Sequence, residues 1–513
     1  MHQPLHSIVF PPLAPGPRED FIELRLRLEC TRAQARNYLY SKLYYATAPR
    51  EPFSEDRVIC FPVGERNRFE RIQVALPASD LRRTRDHQFL KVRVDGLPYS
   101  EGTFSVEELR LVDDSVHPEL SRLARLAAQR QWVREQVLIS EAERRVFLPH
   151  YPESLSLELT TVCNLQCPHC SAHGLPQLHR HHNGMAEMSI PLLDQIAAEA
   201  FGHATAVSIV GRGEPTVASD ALWERFTELL RHHNVRLSCV SNGTRIQQRF
   251  DAALMPYVHE LCFSVDGATP ETYETNRRGA RFEAVLDNIR YYHDLRTRLP
   301  LARRPQLSFS WTLKKNNIQE LPRFVELIAE CEPDLVSIRH MVIFQDKDKP
   351  QSLLDDPQLT NRFLSAAYAA LDERGIRHES PPLIIQASET QESDSATPDE
   401  PVVPRENVCN WMHRTAIIMA DGEVTTCGKH YGIRVGVMSA QQSLHDIWNG
   451  PAMRSLRESF GTSRMWDQCR ACWLREIKWH SQRQAKDNQQ EYSLEEGMDF
   501  SESAWDYRSY EAL

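Results

Sequence analysis

Apolar and polar positions change their period along this chain, and the changes divide it. From Phe21 to about Asp113 they alternate with period two. Phe21-Ile-Glu-Leu-Arg-Leu-Arg-Leu28 is the first such run, and Ile72-Gln-Val-Ala-Leu76, Phe89-Leu-Lys-Val-Arg-Val94 and Leu109-Arg-Leu-Val112 repeat it. A half-buried strand produces this pattern. Turn residues such as Asp95-Gly96 separate the runs, so a β-sandwich is predicted over residues 1–115, behind a Pro-rich arm ending near residue 19. Residues 116–153 read as a helical connector: Leu120, Leu123, Leu126 and Ala127 form an apolar stripe expected to pack on the next domain.

From Ser154 onward strands alternate with helices, the pattern of a parallel α/β sheet. The strands read are Leu155–Thr160, Ala206–Val210, Arg236–Val240, Leu261–Val265, Leu307–Leu313 and Val336–Met341, with helices such as Ser219–His232 and Arg281–Arg296 between them. This places an α/β domain over 154–386. Residues 387–406, rich in Ser, Thr, Asp, Glu and Pro, read as a linker or lid. A last module spans 407–475. In it Thr415-Ala-Ile-Ile-Met419 and Glu423-Val-Thr-Thr426 flank Asp421-Gly422, a hairpin signal, and Ser443–Ser459 reads as a helix. The polar tail 476–513 is expected to pack as a helix or an extended arm.

Composition narrows the class. The 513 residues are 41% apolar and 25% charged with a net charge of -10, which argues against a protein that coats nucleic acid. No run of about 18 apolar residues predicts a membrane span. The start, Met1-His-Gln-Pro-Leu-His6, lacks the layout of a signal peptide. A reducing cytoplasm is therefore expected, where the twelve cysteines serve as ligands or thiols rather than disulfides.

Three of those cysteines carry the chemistry. In Leu159-Thr-Thr-Val-Cys163-Asn-Leu-Gln-Cys167-Pro-His-Cys170, thiols spaced three and then two residues apart follow a strand. They can ligate three irons of a [4Fe-4S] cluster and leave the fourth open, unlike a closed zinc site or a ferredoxin. The spacing resembles the signature of the radical S-adenosylmethionine (SAM) enzymes, in which SAM occupies the open iron. That resemblance implies a partial (β/α)6 barrel with its chemistry at the strand C-termini. His169 stands where the family usually has Tyr or Phe, lending its backbone to the adenine. Gly211-Arg-Gly213-Glu214-Pro215 resembles the family's Gly-Gly-Glu-Pro turn that holds the SAM amino group, with Arg212 adding a cation near the pocket. Ser241-Asn242-Gly-Thr resembles its Thr-Asn-Gly turn. Ser264, Asp266 and Arg278 match its Ser, Asp and Arg, with Arg278 assigned to the SAM carboxylate, and Ser308 or Ser310 to the ribose or carboxylate.

Cys262 shares the parity of Ser264 and Asp266, and Cys239 that of Ser241, so both are candidate inward-facing thiols, with core packing as the alternative. The histidines of His179-Arg-His181-His182 read as a basic loop rather than a metal site. Cys409, Cys427, Cys469 and Cys472 could form an all-thiolate zinc site. Their order and the Asp446-Ile-Trp-Asn449 helix resemble the twitch domain, a shortened SPASM domain, which implies that these four hold an auxiliary [4Fe-4S] cluster. The implied cofactors are SAM and two [4Fe-4S] clusters, with a reduced flavodoxin or ferredoxin-type electron donor.

The one-auxiliary-cluster layout resembles carbohydrate epimerases and aminocyclitol dehydrogenases of antibiotic biosynthesis. It leads to an expected saccharide substrate, captured by the N-terminal sandwich. Cys262, with Cys239 in reserve, would return hydrogen to a sugar carbon and invert it. Oxidation of an alcohol to a ketone and modification of a ribosomal peptide are the alternatives.

Overall fold

The computed structural model describes residues 7–16, 18–30, 40–54, 57–62, 69–95, 102–170, 172–173, 187–299, 303–341, 346–381, 383–384, 409–425, 427, 434–466 and 469. Gly96 of the expected turn, the His179–His182 loop, the 387–406 linker, Cys472 and the tail lie outside them. The chain divides into two compact units: residues 1–136 with 295–304, and 137–294 with 305–513.

In the first unit alternation builds two antiparallel sheets. Its strands are β1 (Ser7–Val9), β2 (Phe21–Cys30), β3 (Tyr40–Ala46), β4 (Val58–Pro62), β5 (Phe69–Ala75), β6 (Lys91–Asp95) and β7 (Gly102–Val112). Among the described residues one sheet runs β1-β6-β3-β4 and the other β5-β2-β7. Ile22, Leu24 and Leu26 of β2 share a buried core with Leu43 and Tyr45 of β3 and Val92 and Val94 of β6. One apolar layer thus holds both sheets, as in a sandwich.

The opposite face of β2 carries Glu23, buried and paired with Arg71 and Arg110 and accepting from Gln73 Nε2 at 2.9 Å. Gln73 in turn accepts from Ser121 at 2.7 Å, on the helix Pro118–Ala142. Phe21, Ala75 and Val112 pack on Ala124 and Ala128 of that helix. This corrects the connector reading. The helix's N-terminal half covers the outer face of the β5-β2-β7 sheet, because that face has apolar and hydrogen-bonding partners to offer it.

The second unit is organised by one sheet. Its strands are β8 (Ser154–Leu157), β9 (Ala206–Ile209), β10 (Arg236–Ser241), β11 (Val258–Ser264), β12 (Gln306–Leu313), β13 (Leu335–His340), β14 (His378–Glu379), β15 (Thr415–Ile418), β16 (Glu423–Thr425) and β17 (Arg434–Val437). Their order is β14-β13-β12-β11-β10-β9-β8-β15-β16-β17, parallel from β8 to β14. The six expected strands are all present, and β14, two residues long, extends them. Helices bury the outer face: Phe263 meets Tyr292, and Phe309 and Trp311 meet Phe324. Burying each such ring contributes about 1.5–3 kcal/mol.

Two sequence boundaries shift. The C-terminal module has no sheet of its own, since β15 pairs in parallel with β8 and the β16-β17 hairpin continues from it. The expected helix 443–459 is two, Leu444–Trp448 and Pro451–Ser459, because Pro451 has no N–H and starts a new helix after Gly450.

The joint between β8, β9 and β15 is a buried ion pair. Glu158 accepts from Arg212 at 2.9 Å (N), 2.8 Å (Nε) and 2.6 Å (guanidinium), and from Ala420 N at 3.3 Å. Gly211 is required here, because a Cβ would meet Glu158 Cγ at 2.6 Å. Arg212 is therefore a neutralised structural cation, and not the added charge expected near the pocket. Burial alone would push the Glu158 carboxyl up, yet Arg212 and the two N–H donors hold it below the usual range. A depressed folded value means that the stability is full above the ordinary Glu range and is lost as pH falls through the folded one. Arg212→Met is expected to cost about 3–5 kcal/mol by urea denaturation of the full chain at neutral pH. Glu158→Leu combined with Arg212→Met should recover most of that loss, and equal losses in the single and double variants would contradict the pairing.

Candidate cluster and cofactor site

The cysteine loop leaves β8 and is fixed by backbone bonds. Glu214 N donates to Val162 O at 2.9 Å, Gln166 N to Arg278 O at 2.9 Å, and Cys170 N to Cys167 O at 3.0 Å. A side chain at Gly213 would put its Cβ 2.3 Å from Thr160 O and 2.5 Å from Val162 O, so only glycine lets the two turns touch. The sulfurs are acceptors: Leu165 N donates to Cys163 Sγ at 3.4 Å and His173 N to Cys170 Sγ at 3.3 Å. The Arg277 cation favours the Cys167 thiolate against the burial that opposes it. Burial pushes the Cys163 thiol up to about 12 and raises Cys167, so both favour the charge compensation that bound iron gives. Three cysteines on one loop, with N–H donors on the sulfurs of Cys163 and Cys170, are the ligand set of a [4Fe-4S] cluster with one open iron.

Glu214 is wholly enclosed by its own chain. It accepts from Thr216 N and Oγ1 at 3.2 and 2.6 Å, from Ser241 Oγ at 2.7 Å and from Asn242 N at 2.7 Å. Burial still pushes its carboxyl up against those donors. Pro215 opens the short helix Pro215–Val217 that Glu214 caps. The Asn242 side chain donates to Asn164 at 2.9 Å and accepts from Thr244 Oγ1 at 2.7 Å. The side chains of Glu214, Ser241 and Asn242 therefore lock the turn around the loop.

Beyond β11 stands Asp266, fully buried. Its Oδ1 accepts from Thr312 N at 2.7 Å, while Oδ2 faces Arg277 Nε at 2.7 Å and His169 Nε2 at 3.3 Å. Burial opposes its charge, but Arg277, Lys314 and His169 hold it well below the usual carboxylate range. Lys314 Nζ lies 3.1 Å from His169 Nδ1, and burial pushes this amine down to about 8. The side chain of His169 thus joins this network. Arg278, the expected contact, is exposed, whereas its neighbour Arg277 holds the buried carboxylate. The doubled arginine Arg277-Arg278 was the available signal.

A cavity of about 540 Å³ opens beside this network, lined by Pro168, His169, Asn276, Arg278, Lys314 and Met341 among others. Its size suits a nucleoside-bearing ligand. A larger cavity of about 640 Å³, lined by Asp220, Trp223, Arg231 and Arg249, includes no residue of the loop.

The strand register separates the two candidate thiols. In-register partners of a parallel sheet share a face. Cys262 pairs with Val240 and Ser308, and Val240 is 37% exposed, so this face is open. Ser264 pairs with Ser310 and accepts its hydroxyl at 3.3 Å; Ser308 donates to Glu260 at 2.5 Å. Cys239 pairs with Ile209 and Leu261 and is 1% exposed, on the helix-covered face. Cys239 is a packing residue. The parity it shares with Ser241 points away from Cys262, since the Ser241 hydroxyl turns to Glu214 in the covered layer.

Cys409 caps the helix Asn410–Arg414, Cys427 follows β16 by two residues, and Cys469 N donates to Trp466 O at 2.9 Å. Among the described residues no helix is long and apolar enough to cross a membrane.

With this geometry the chain was compared with known proteins. Residues 157–328 match the family described as the radical SAM superfamily, and residues 409–473 match SPASM, an iron-sulfur cluster-binding domain. The mycofactocin maturase MftC of Mycolicibacterium smegmatis is 29% identical over 180 residues, 35% of this chain and 42% of that protein. The chain thus spans less than half the length of that relative. The PqqA peptide cyclase of Xanthomonas axonopodis pv. citri is 25% identical over 342 residues, 64% of this chain and 82% of that protein. Streptococcus suis SuiB, crystallised with the precursor peptide SuiA, aligns with a TM-score of 0.46 at 15% identity, covering 67% of this chain and 76% of SuiB. The chain carries a radical SAM domain followed by a SPASM domain, and its cofactors are SAM and two [4Fe-4S] clusters.

Proposed function

We propose that this chain is a radical SAM enzyme that acts on a peptide. The carrying observation is the match to a peptide cyclase across 82% of that protein's length. When bound and reduced, the cofactors supply a 5'-deoxyadenosyl radical that removes hydrogen from substrate. The chain's own part is to hold the cysteine loop through Gly213 and Glu214, to seat the cofactor by His169, Asp266 and Arg278, and to present substrate to the open face of β10 to β12. The sequence-based expectation of a saccharide finds no support among these relatives.

The first unit supports the peptide reading through its sheet edges. Among the described residues β4, β5 and β7 each pair on one side only, and an extended peptide can add to such an edge by main-chain hydrogen bonds. A saccharide has no such ladder to offer. The electron is supplied by a flavodoxin or ferredoxin-type protein in a reducing cytoplasm. Anaerobically reconstituted protein with SAM and a reductant should change the mass of members of a synthetic peptide library and leave neutral oligosaccharides unchanged. The converse result would return the substrate to the carbohydrates.

A second reading concerns the outcome and rests on Cys262. Burial pushes this thiol up, so it keeps its hydrogen at neutral pH. A protonated thiol on the open face can return a hydrogen atom to the carbon radical, inverting a carbon of a peptide or, in the epimerase reading, of a sugar. The thiyl radical left on Cys262 would then take one electron from the reduced donor protein and one proton from solvent to restore the thiol. In D2O the product would then be heavier by a single deuterium, whereas oxidation or cross-linking makes it lighter by two hydrogens. Cys262→Ala should abolish deuterium uptake while SAM cleavage persists; undiminished uptake would remove Cys262 from the chemistry.

A further inference from the structure

We propose that Arg277 sets the reduction potential of the cluster held by Cys163, Cys167 and Cys170, raising it as a fixed, buried cation beside the cysteine loop. This rests on those three cysteines holding the radical SAM cluster.

Arg277 ends the helix Pro270–Asn276, and its side chain is only 14% exposed. Its guanidinium faces Asp266 at 2.7 Å, the same carboxylate that His169 of the cysteine loop approaches at 3.3 Å. The next residue's carbonyl takes Gln166 N of that loop at 2.9 Å. Asp266 cannot yield, because its Oδ1 takes Thr312 N at 2.7 Å and its carbonyl takes Asn276 Nδ2 at 2.8 Å and Asn317 Nδ2 at 3.1 Å. The arginine is thereby pinned. Lys314, 2% exposed, adds a second cation beside the same carboxylate. Lys314 feels Asp348 as well as Asp266, and Arg277 is the cation that bears on Cys167.

Reducing a cluster adds an electron to a site that water reaches poorly. Net charge and hydrogen bonds to the sulfurs are what set such potentials, and outer partners tune a metal site as its ligands do. A buried cation favours the reduced form more than the oxidised form. Arg277 would therefore make this cluster easier to reduce. A purely structural Arg277, present to fold the Asp266 loop, would have no preferred sign.

The test is a redox titration followed by electron paramagnetic resonance, reading the signal that changes on adding SAM, in full-length reconstituted protein. Arg277→Gln is expected to move the midpoint to a more negative value, and Arg277→Lys to move it less. Asp266→Asn, which removes the opposing anion, should move it the other way. Shifts of the same sign in Arg277→Gln and Asp266→Asn, or no shift in Arg277→Gln with full iron, would overturn the proposal. If Arg277→Gln fails to take up iron, Lys314→Met replaces it: a more negative midpoint supports the charge account and an unchanged one overturns it. Iron content of Cys163→Ala checks the underlying assignment separately: iron equal to wild type there would refute the cluster ligands and the proposal with them, whereas reduced iron there with an unshifted midpoint in Arg277→Gln would overturn the role of Arg277 alone.

Discussion

The carboxylate of Glu214 takes hydrogen bonds from Thr216, Ser241 and Asn242 while its own amide holds Val162 of the cysteine loop. The rest of the site depends on this knot. It fixes the end of β9 to the end of β10, and it brings Gly213 against the carbonyls of Thr160 and Val162, where no side chain fits. One residue earlier, Arg212 turns the other way to Glu158 and ties β8 to Ala420 beside β15. A five-residue turn thus joins the cysteine loop, the third strand of the barrel and the SPASM hairpin in one rigid arrangement. A cluster needs that rigidity, because its thiols must be in place before iron arrives.

Charge is arranged around the same loop in two separate compartments. Glu158 and Arg212 neutralise each other beneath the turn and contribute stability. Asp266, Arg277, Lys314 and His169 stand beside the cavity, with Asp348 acting on Lys314. The first set is enclosed beneath the turn and the second borders the cavity, so only the second can act on a bound group. The open face of β11 and β12 is different again, with hydroxyls, the Cys262 thiol and the Glu260 carboxylate lining it.

Much of this was legible in the sequence, for identifiable reasons. Parallel strands buried under helices read as apolar runs, so all six main barrel strands were found, and Cys163, Cys167 and Cys170 declare their chemistry by spacing alone. The two-residue β14 is too short to show a period. The break at Gly450-Pro451 was passed over although Pro451 marked it. Parity within a strand relates Cys239 to Ser241 but cannot say which face is covered; that needs the register with β9 and β11. Which of Arg277 and Arg278 turns inward to Asp266 depends on how the chain turns after Asn276, which no local pattern encodes. The substrate class is not legible in the sequence, because the cluster layout is shared by enzymes with different substrates and the N-terminal sheets carry no motif of their own.

The central claim is that the loop after β8 carries a radical-generating cluster distinct from that of the SPASM module. The most direct measurement is iron content together with reductive cleavage of SAM to 5'-deoxyadenosine, in wild type and in the triple variant Cys163→Ala, Cys167→Ala, Cys170→Ala. The account predicts that the variant keeps the iron of one [4Fe-4S] cluster, loses that of the other and cleaves no SAM. Cleavage that survives in the variant, or iron that does not fall, would contradict it.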